Sequence, residues 1–445
     1  MKRLLFEQLV QWKNSKHRKP LVLRGARQVG KTWLLTEFGK THFKNVHHFD
    51  FERDKNTLQP VFQENLSPKT IIRNLALVTD QMIDPSNDLV IFDEIQNLPE
   101  VLTSLKYFQE ELPELAVCAA GSLLGILLSD VSFPVGKVEF LTLRPMNFEE
   151  FLINYNNPLL YEAFLEGVNN WQVPEVVHQK LLYLLKQFYI TGGMPEMVKH
   201  FLEEKDQSPA VFQITRKKQN DLLNALKADF SKHSGKVNAL HITSVYENVS
   251  IQLSQYTDDS VKRFRFKDVI KGKKGYVELQ GPISWLENAQ LVIKVLIANR
   301  AALPLRSFCK ENFFKLYLND IGLLGAQLDV PPSAILLSNY GTTKGFFVEN
   351  FVATELQTAV EGQLFAWNER TSEIEFLLTR EDQIIPVEVK SGLRTKTKSL
   401  QQFILKYNPS IAIVLSEKPF FEKDRIKKNV PLYYAGKLLE MLRTD

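Results

Sequence analysis

The sequence predicts an α/β protein built on a parallel sheet, extended by a helical middle and a second mixed α/β region. Three observations carry that expectation. "PLVLRGARQVGKT" runs from an apolar strand through a glycine loop into a helical pattern. Strand-like runs at "NVHHFDFE", "DLVIFDE", "LAVCAAGS" and "KVEFLTL" alternate with helical stretches, which is the rhythm of βαβ units. Beyond Phe151 the apolar residues take up i, i+3, i+4 spacing, and strands return in the last hundred residues.

Bulk properties narrow the class. A chain of 445 residues corresponds to about three domains at roughly 150 residues each. The net charge of +4 is too small to argue for a polyanionic partner, so only local clusters of charge bear on that question. Two cysteines, Cys118 and Cys309, exclude a disulfide framework, and Cys118 in "AVCAAG" reads as an inert residue of a buried strand. The opening "MKRLLFEQLVQWKNSK" is too polar for a signal peptide and reads as an amphipathic helix. The longest nearly apolar run, Ala116 to Leu128, is interrupted by Gly and Ser and falls short of a bilayer span. A cytoplasmic protein with no membrane partner is expected.

The stretch from Gly25 to Trp33 fits G-x-x-x-x-G-K-[ST], with a strand before it and a helix after it as that motif requires. The backbone of Gly25, Ala26, Arg27, Gln28, Val29 and Gly30 is expected to curl so that its N–H groups face phosphate oxygens. The start of the helix, through Lys31, Thr32 and Trp33, adds its positive dipole end. Lys31 reaches the β- and γ-phosphates and Thr32 holds Mg²⁺, so ATP and Mg²⁺ are the expected ligands. A second strand, "DLVIFDE", is apolar throughout and ends in Asp93 and Glu94. Acids at the C-terminal end of a parallel strand lie at the crevice where such sheets bind ligands. Asp93 is the candidate for the Mg²⁺ shell and Glu94 for polarising water. Ser122 ends another strand, either contacting the γ-phosphate or serving as an ordinary strand-end serine. His47 and His48 lack metal-ligand spacing and are expected to alternate across a strand.

Taken with "AAGSLLGILL", "FPVGKVEFLTLRPMNFEEFL", "YITGGMPEMV" and "FFKLYLNDIGLL", these motifs resemble a family of prokaryotic AAA+-type ATPases. Its members carry this core ahead of a C-terminal region of unknown function. The resemblance implies ATP hydrolysis; AAA+ proteins often act as rings, which makes a homo-oligomer a candidate assembly, though no arginine is an unambiguous finger. Arg144 departs from the family pattern before Pro145 and reads either as a finger toward a neighbouring subunit or as a surface residue. Residues 1–150 are expected to form the ATPase domain and 151–235 a helical lid like that of AAA+ proteins, with Gly192-Gly193 as a hinge or a helix terminator.

Residues 236–330 are expected to form a winged-helix-like module. Three short helical patterns, including "FKDVI", precede a β-pair at "LVIKVLI" and "FFKLYLND". Its segment Lys262–Lys274 carries seven basic residues against one acid, with Phe264, Phe266 and Tyr276 interleaved. That segment fits a grip on DNA phosphates or, equally, a protein contact. In residues 331–445, a helix bearing Glu349 and Glu355 leads to a hairpin, "EIEFLL" and "IIPVEVK". Glu388 and Lys390 share a face at period two. This resembles the PD-(D/E)xK nuclease core, with Glu375 where the family usually has Asp. The resemblance implies Glu349, Glu375 and Glu388 as Mg²⁺ ligands and Lys390 as a catalytic partner, or a fold retained for recognition. Lys390–Lys406 is a second basic segment facing DNA in this scheme. An ATPase that drives a DNA-contacting half is the leading expectation. An ATP-dependent signalling switch and a small-metabolite kinase are the alternatives.

Overall fold

The computed structural model describes residues 1–63, 65–122, 134–204, 209–255, 263–338, 343–392, 397–422 and 425–443. It divides into two compact units, residues 1–144 with the segment 288–290, and residues 145–287 with 291–445. The part of "AAGSLLGILL" beyond Ser122, together with Lys262, Arg394 and Lys396, lies outside the described residues. Among the described residues no helix is long and apolar enough to cross a membrane.

The first unit holds helices α1 (Leu5–Asn14), α2 (Lys31–His42), α3 (Lys55–Gln63), α4 (Pro68–Thr79) and α5 (Glu100–Glu111). They accompany strands β1 (Leu21–Arg24), β2 (Val46–Asp50), β3 (Leu89–Asp93), β4 (Ala116–Gly121) and β5 (Glu139–Thr142). The strands pair in the order β2-β3-β4-β1-β5, every pairing parallel. All residues of β3 and β4 are buried, which is why these strands read as unbroken apolar runs rather than alternating ones. On one face of the sheet Phe49, Phe51, Phe62, Phe92 and Phe108 join one core. Because β1 lies next to β4 and β4 next to β3, the loop after β1, Ser122 and the Asp93-Glu94 pair emerge along one rim. Cys118 is fully buried in β4, and burial pushes its thiol up, as expected of an inert residue.

The second unit starts with helices α6 (Phe148–Tyr155), α7 (Pro158–Asn170), α8 (Glu175–Thr191), α9 (Pro195–Glu203), α10 (Pro209–Ser234), α11 (Lys236–Ser254) and α12 (Tyr276–Asn288). Next come β6 (Val292–Ala298), β7 (Cys309–Leu318), α13 (Ile321–Gln327), α14 (Pro332–Leu336) and α15 (Thr343–Ala359). Then follow β8 (Leu364–Glu369), β9 (Ser372–Arg380), β10 (Gln383–Val389), α16 (Lys398–Tyr407), β11 (Ala412–Ser416), β12 (Phe421–Glu422) and β13 (Lys427–Pro431). These strands form one mixed sheet in the order β12-β13-β11-β10-β9-β8-β6-β7.

That sheet alters two expectations. The β-pair at 292–318 forms, but it is no separate wing. β6 pairs in parallel with β8, so residues on both sides of position 330 share one sheet. The apolar character of β6 reflects this interior position, with six of its seven residues buried. "FKDVI" is a turn rather than a helix, with Asp268 at φ 68°. Five residues followed by Gly272 are too few to nucleate a helix without help.

Candidate nucleotide site

Strand β1 delivers the chain to Gly25, where a Cβ would lie 2.3 Å from the Leu143 carbonyl oxygen, so only glycine fits. Gln28 (φ 61°) and Gly30 (φ 91°) take the left-handed conformation, which turns successive amides to the same side and forms an anion-binding nest. No backbone carbonyl of a described residue accepts from the amides of Gln28, Val29 or Gly30. Lys31, the first residue of α2, is buried, and its Nζ donates to the carbonyls of Gly25 (3.0 Å) and Ala26 (2.8 Å). Burial pushes the Lys31 ammonium down to about 8, against the pull of Glu94 and Asp93. Neutral carbonyls satisfy an ammonium less well than phosphate oxygens do, so the loop holds a cation whose best partner is an anion.

The Thr32 hydroxyl donates to Asp93 Oδ2 at 2.6 Å. His48 Nε2 lies 3.2 Å from the same oxygen, and the Glu94 amide donates to Asp93 Oδ1 at 2.9 Å. Burial works against ionisation of Asp93, yet the bonds from His48 and Thr32 outweigh it and hold the carboxyl below its usual range. The bond to Asp93 in turn raises the His48 imidazole. Glu94 sits at φ 52° and accepts from Gln96 Nε2, while burial raises its carboxyl. Ser122 is buried at the end of β4, and its hydroxyl has no hydrogen-bond partner among the described residues. Trp33 is 45% exposed on the first turn of α2.

The parallel sheet thus brings Lys31, Thr32, Asp93 and Glu94 to one rim, together with three groups that the motifs did not single out. Arg3 donates to the Val29 carbonyl (2.8 Å) and to the Arg144 carbonyl (2.6 Å), tying the glycine loop to the chain after β5. His48 and Gln96 hold the two acids. Gln96 lies two residues past Glu94, whereas no spacing rule points to His48, since β2 and β3 become neighbours only in the sheet. His47 faces away from this rim, buried 3.0 Å from Asp88, so the two histidines do alternate. Arg144 departs from the surface reading. It is half-buried, and burial pushes its guanidinium down to about 10.

The second candidate cluster assembles differently. Val387 pairs with Phe376, so Glu388 of β10 lies beside Glu375 of β9. Glu375 accepts from the Val389 amide at 3.0 Å, and Glu388 pairs with Lys390 at 2.5 Å. Glu349 of α15 accepts from Lys315 Nζ at 2.8 Å and from the Tyr317 hydroxyl, and Lys315 also pairs with Glu373. The charges of Glu349, Glu373 and Glu375 all act on Lys315. Lys315, 1% exposed, stands as a cation among the carboxylates. Among the described residues no group of three His, Cys, Asp or Glu is arranged to hold a metal ion. This lysine comes from β7, and no local pattern connects it to a helix more than thirty residues away.

The two basic segments also differ from each other. Arg263, Arg265, Lys267, Lys271 and Lys274 are exposed. The interleaved aromatics turn inward: Phe264 is buried and stacks on Phe314, with Phe266 and Tyr276 packed beside it. They anchor the loop instead of offering faces for base stacking. In the later segment, Lys390 is paired with Glu388 and Lys406 with Glu369 (2.6 Å), so that stretch is less free to grip a phosphate backbone than its composition implied.

Residues 17–152 match the family described as "AAA domain". Residues 182–334 and 344–434 match two domains of unknown function, DUF8612 and DUF4143. No curated protein matches the chain. Similar solved structures include the Walker-type ATPase paby2304 of Pyrococcus abyssi, 16% identical over 74% of this chain and 95% of that one, at a TM-score of 0.45. AMPPCP-bound DnaA from Aquifex aeolicus is 16% identical over 64% and 87%, at 0.30. The Aeropyrum pernix ORC1 protein in complex with DNA is 12% identical over 75% and 92%, at 0.26. With TM-scores below 0.5, these likenesses assign nothing to this chain. The N-terminal part carries an AAA-type P-loop domain, on the family match and the parallel sheet together.

Proposed function

We propose that this chain binds ATP with Mg²⁺ and hydrolyses it, and that its nucleotide cycle acts on DNA held by the exposed basic loop 263–274. The observation that carries the ATPase reading is the convergence of Lys31, Thr32, Asp93 and Glu94 on one rim, with Thr32 hydrogen-bonded to Asp93 at 2.6 Å. Their donor set, a hydroxyl and a low-lying carboxylate, consists of the hard oxygens that Mg²⁺ prefers. When bound there, Mg²⁺ neutralises charge on the β- and γ-phosphates. Lys31 exchanges its two carbonyl partners for phosphate oxygens, and the inward-turned loop amides hold the remainder. Glu94 orients a water and accepts its proton as the water oxygen bonds to the γ-phosphorus. The bond to the β,γ-bridging oxygen breaks, and ADP and phosphate leave. Ser122, with its hydroxyl otherwise unpartnered, donates to the γ-phosphate or that water.

Lys31→Ala should abolish ATP binding measured by calorimetry. Unaltered binding in a folded Lys31→Ala protein overturns the reading. DNA should raise ATP turnover, and a rate unchanged from the DNA-free one with single-stranded, double-stranded and forked DNA would remove the DNA half of it. A homo-oligomer belongs to this scheme, and solution mass with and without ATP tests it.

The closed Glu349–Lys315–Tyr317 cluster favours a second reading, a switch whose C-terminal half is a nuclease-like scaffold without cleavage activity and which binds a protein. The two separate on salt. A DNA grip through phosphates weakens steeply as salt rises, with a slope that counts the contacts, and a protein contact need not.

A further inference from the structure

Arg3 belongs to none of the motifs that mark the nucleotide site, yet its side chain reaches the glycine loop from behind. The residue is buried, and one guanidinium nitrogen donates to the Val29 carbonyl at 2.8 Å and the other to the Arg144 carbonyl at 2.6 Å. The second carbonyl is a firm anchor. β5 pairs along the whole of β1, and just after it the Leu143 amide donates to the Arg24 carbonyl at 2.7 Å. The Arg3 backbone is held too. Its carbonyl accepts from the Phe6 amide at 3.2 Å, and Phe6 and Trp12 of α1 pack their rings on Phe38 of α2.

The Val29 carbonyl matters because of what it is bonded to. It shares one planar peptide unit with the Gly30 amide, and the C=O and N–H point in opposite directions from that unit. Rotating the unit changes ψ of Val29 and φ of Gly30, and a glycine accepts either sign of φ without strain. In the orientation seen, with Gly30 at φ 91°, the N–H joins the anion-binding nest. In the opposite one, a carbonyl oxygen with its partial negative charge faces the place where phosphate oxygens belong. Glycine leaves that choice open, and the guanidinium bonded to the Val29 carbonyl decides it.

We propose that Arg3 is a positioning residue for the triphosphate: by holding the Val29 carbonyl it aims the Gly30 N–H into the phosphate site, and so sets ATP affinity without touching the ligand. This inference rests on the reading of the loop as the ATP site.

The test sets Arg3→Met and Arg3→Lys beside the parent in ATP calorimetry and steady-state hydrolysis, with the urea midpoint of the nucleotide-free proteins measured alongside. Losing a charge-assisted bond that orients the loop, Arg3→Met should weaken ATP binding and raise KM about tenfold. The aimed amide serves the bound substrate and the transition state alike, so kcat at saturating ATP should stay within about twofold of the parent. Arg3→Lys keeps the charge without the rigid planar fork and should fall between the two, about threefold above the parent in KM. A merely structural role lowers the urea midpoint and leaves the KM of the folded protein unmoved, and that result overturns the proposal. So does a loss confined to kcat. If Arg3→Met does not fold, Arg3→Lys decides by itself, and a parental KM there overturns the proposal. A parent that binds no ATP removes the ATPase reading and this inference with it. A parent that binds ATP, beside an Arg3→Met protein that binds it equally well, removes this inference alone.

Discussion

The loop Gly25–Gly30 and the turn Thr191–Met194 both use two glycines to bend the chain into a helix, α2 in one case and α9 in the other. Both are crowded: a Cβ on Gly25 would meet the Leu143 oxygen at 2.3 Å, and one on Gly192 would meet Asp320 Oδ1 at the same distance. They differ in who satisfies the backbone. At the second turn the Gly193 amide donates to Asp320 at 2.6 Å, the Gly193 carbonyl accepts from Met146 at 2.7 Å, and Gln219 donates to the carbonyls of Ile190 and Thr191. Gly192 ends α8, its amide donating to the Phe188 carbonyl at 2.7 Å. The turn is a fixed junction, locked by a buried aspartate from the motif "YLNDIGLL". At the first loop, the amides of Gln28, Val29 and Gly30 go to no described carbonyl, and Lys31 has only carbonyls to hold. Glycine content therefore does not separate a ligand cradle from a structural lock. The ownership of the amides does.

The largest effect that would break this contrast is expected at Asp320. Asp320→Ala leaves the Gly193 and Leu323 amides buried without their acceptor and should cost about 3 kcal/mol or more, read as a lowered urea midpoint. If the midpoint stays put, the turn is not locked as described. Lys31→Ala should move that midpoint less than Asp320→Ala does, while ATP binding disappears.

Glu94→Gln probes the ligand side of the contrast. It should keep ATP binding and lower turnover by about a hundredfold or more, as expected when the proton acceptor is removed. Hydrolysis at the parental rate would take Glu94 out of the mechanism.

A pH effect should come from the second unit. Glu355 is fully buried, accepts from the Phe148 amide at 2.9 Å, and is pushed up by burial to about 8. Unfolding returns it toward 4.5. The folded chain thus holds this proton over a range where the unfolded chain has lost it. Stability from this group is full below about pH 4.5 and declines as pH rises to about 8. The decline should amount to a few kcal/mol, at about 1.4 kcal/mol per unit. Glu355→Gln should flatten that part of the stability profile, and an unchanged slope would place the titrating group elsewhere.

The smallest effect is expected at His48, which orients Asp93 without touching the ligand. His48→Ala should raise the half-saturating Mg²⁺ for hydrolysis about tenfold, with maximal turnover at saturating Mg²⁺ nearly retained. No change in the Mg²⁺ requirement would make the 3.2 Å contact merely structural.

Much of the first unit was legible because its signals are local. A strand, a glycine loop and a helix start lie within fifteen residues, and a buried strand announces itself by lacking polar residues at every position. The same locality failed in the second unit. The hairpin β9–β10 was readable from its own alternation, but the pairing of β6 with β8 was invisible, since parallel neighbours leave no adjacent turn. The basic loop was readable as charge, yet whether its phenylalanines faced out or in depended on Phe314, nearly fifty residues further on.

By itself, the sequence determined the glycine loop after β1, the acids at the end of β3 and the parallel character of the first sheet. Backbone sterics and unbroken burial write those features into short runs of residues. Only the tertiary structure decided that His48 and Arg3 support the site, that Lys315 occupies the carboxylate cluster, and that Asp320 locks the Gly192-Gly193 turn. Each of those depends on a partner brought close by sheet order or helix packing, and the strength of a hydrogen bond or ion pair is set by distance in space, which separation along the chain does not encode.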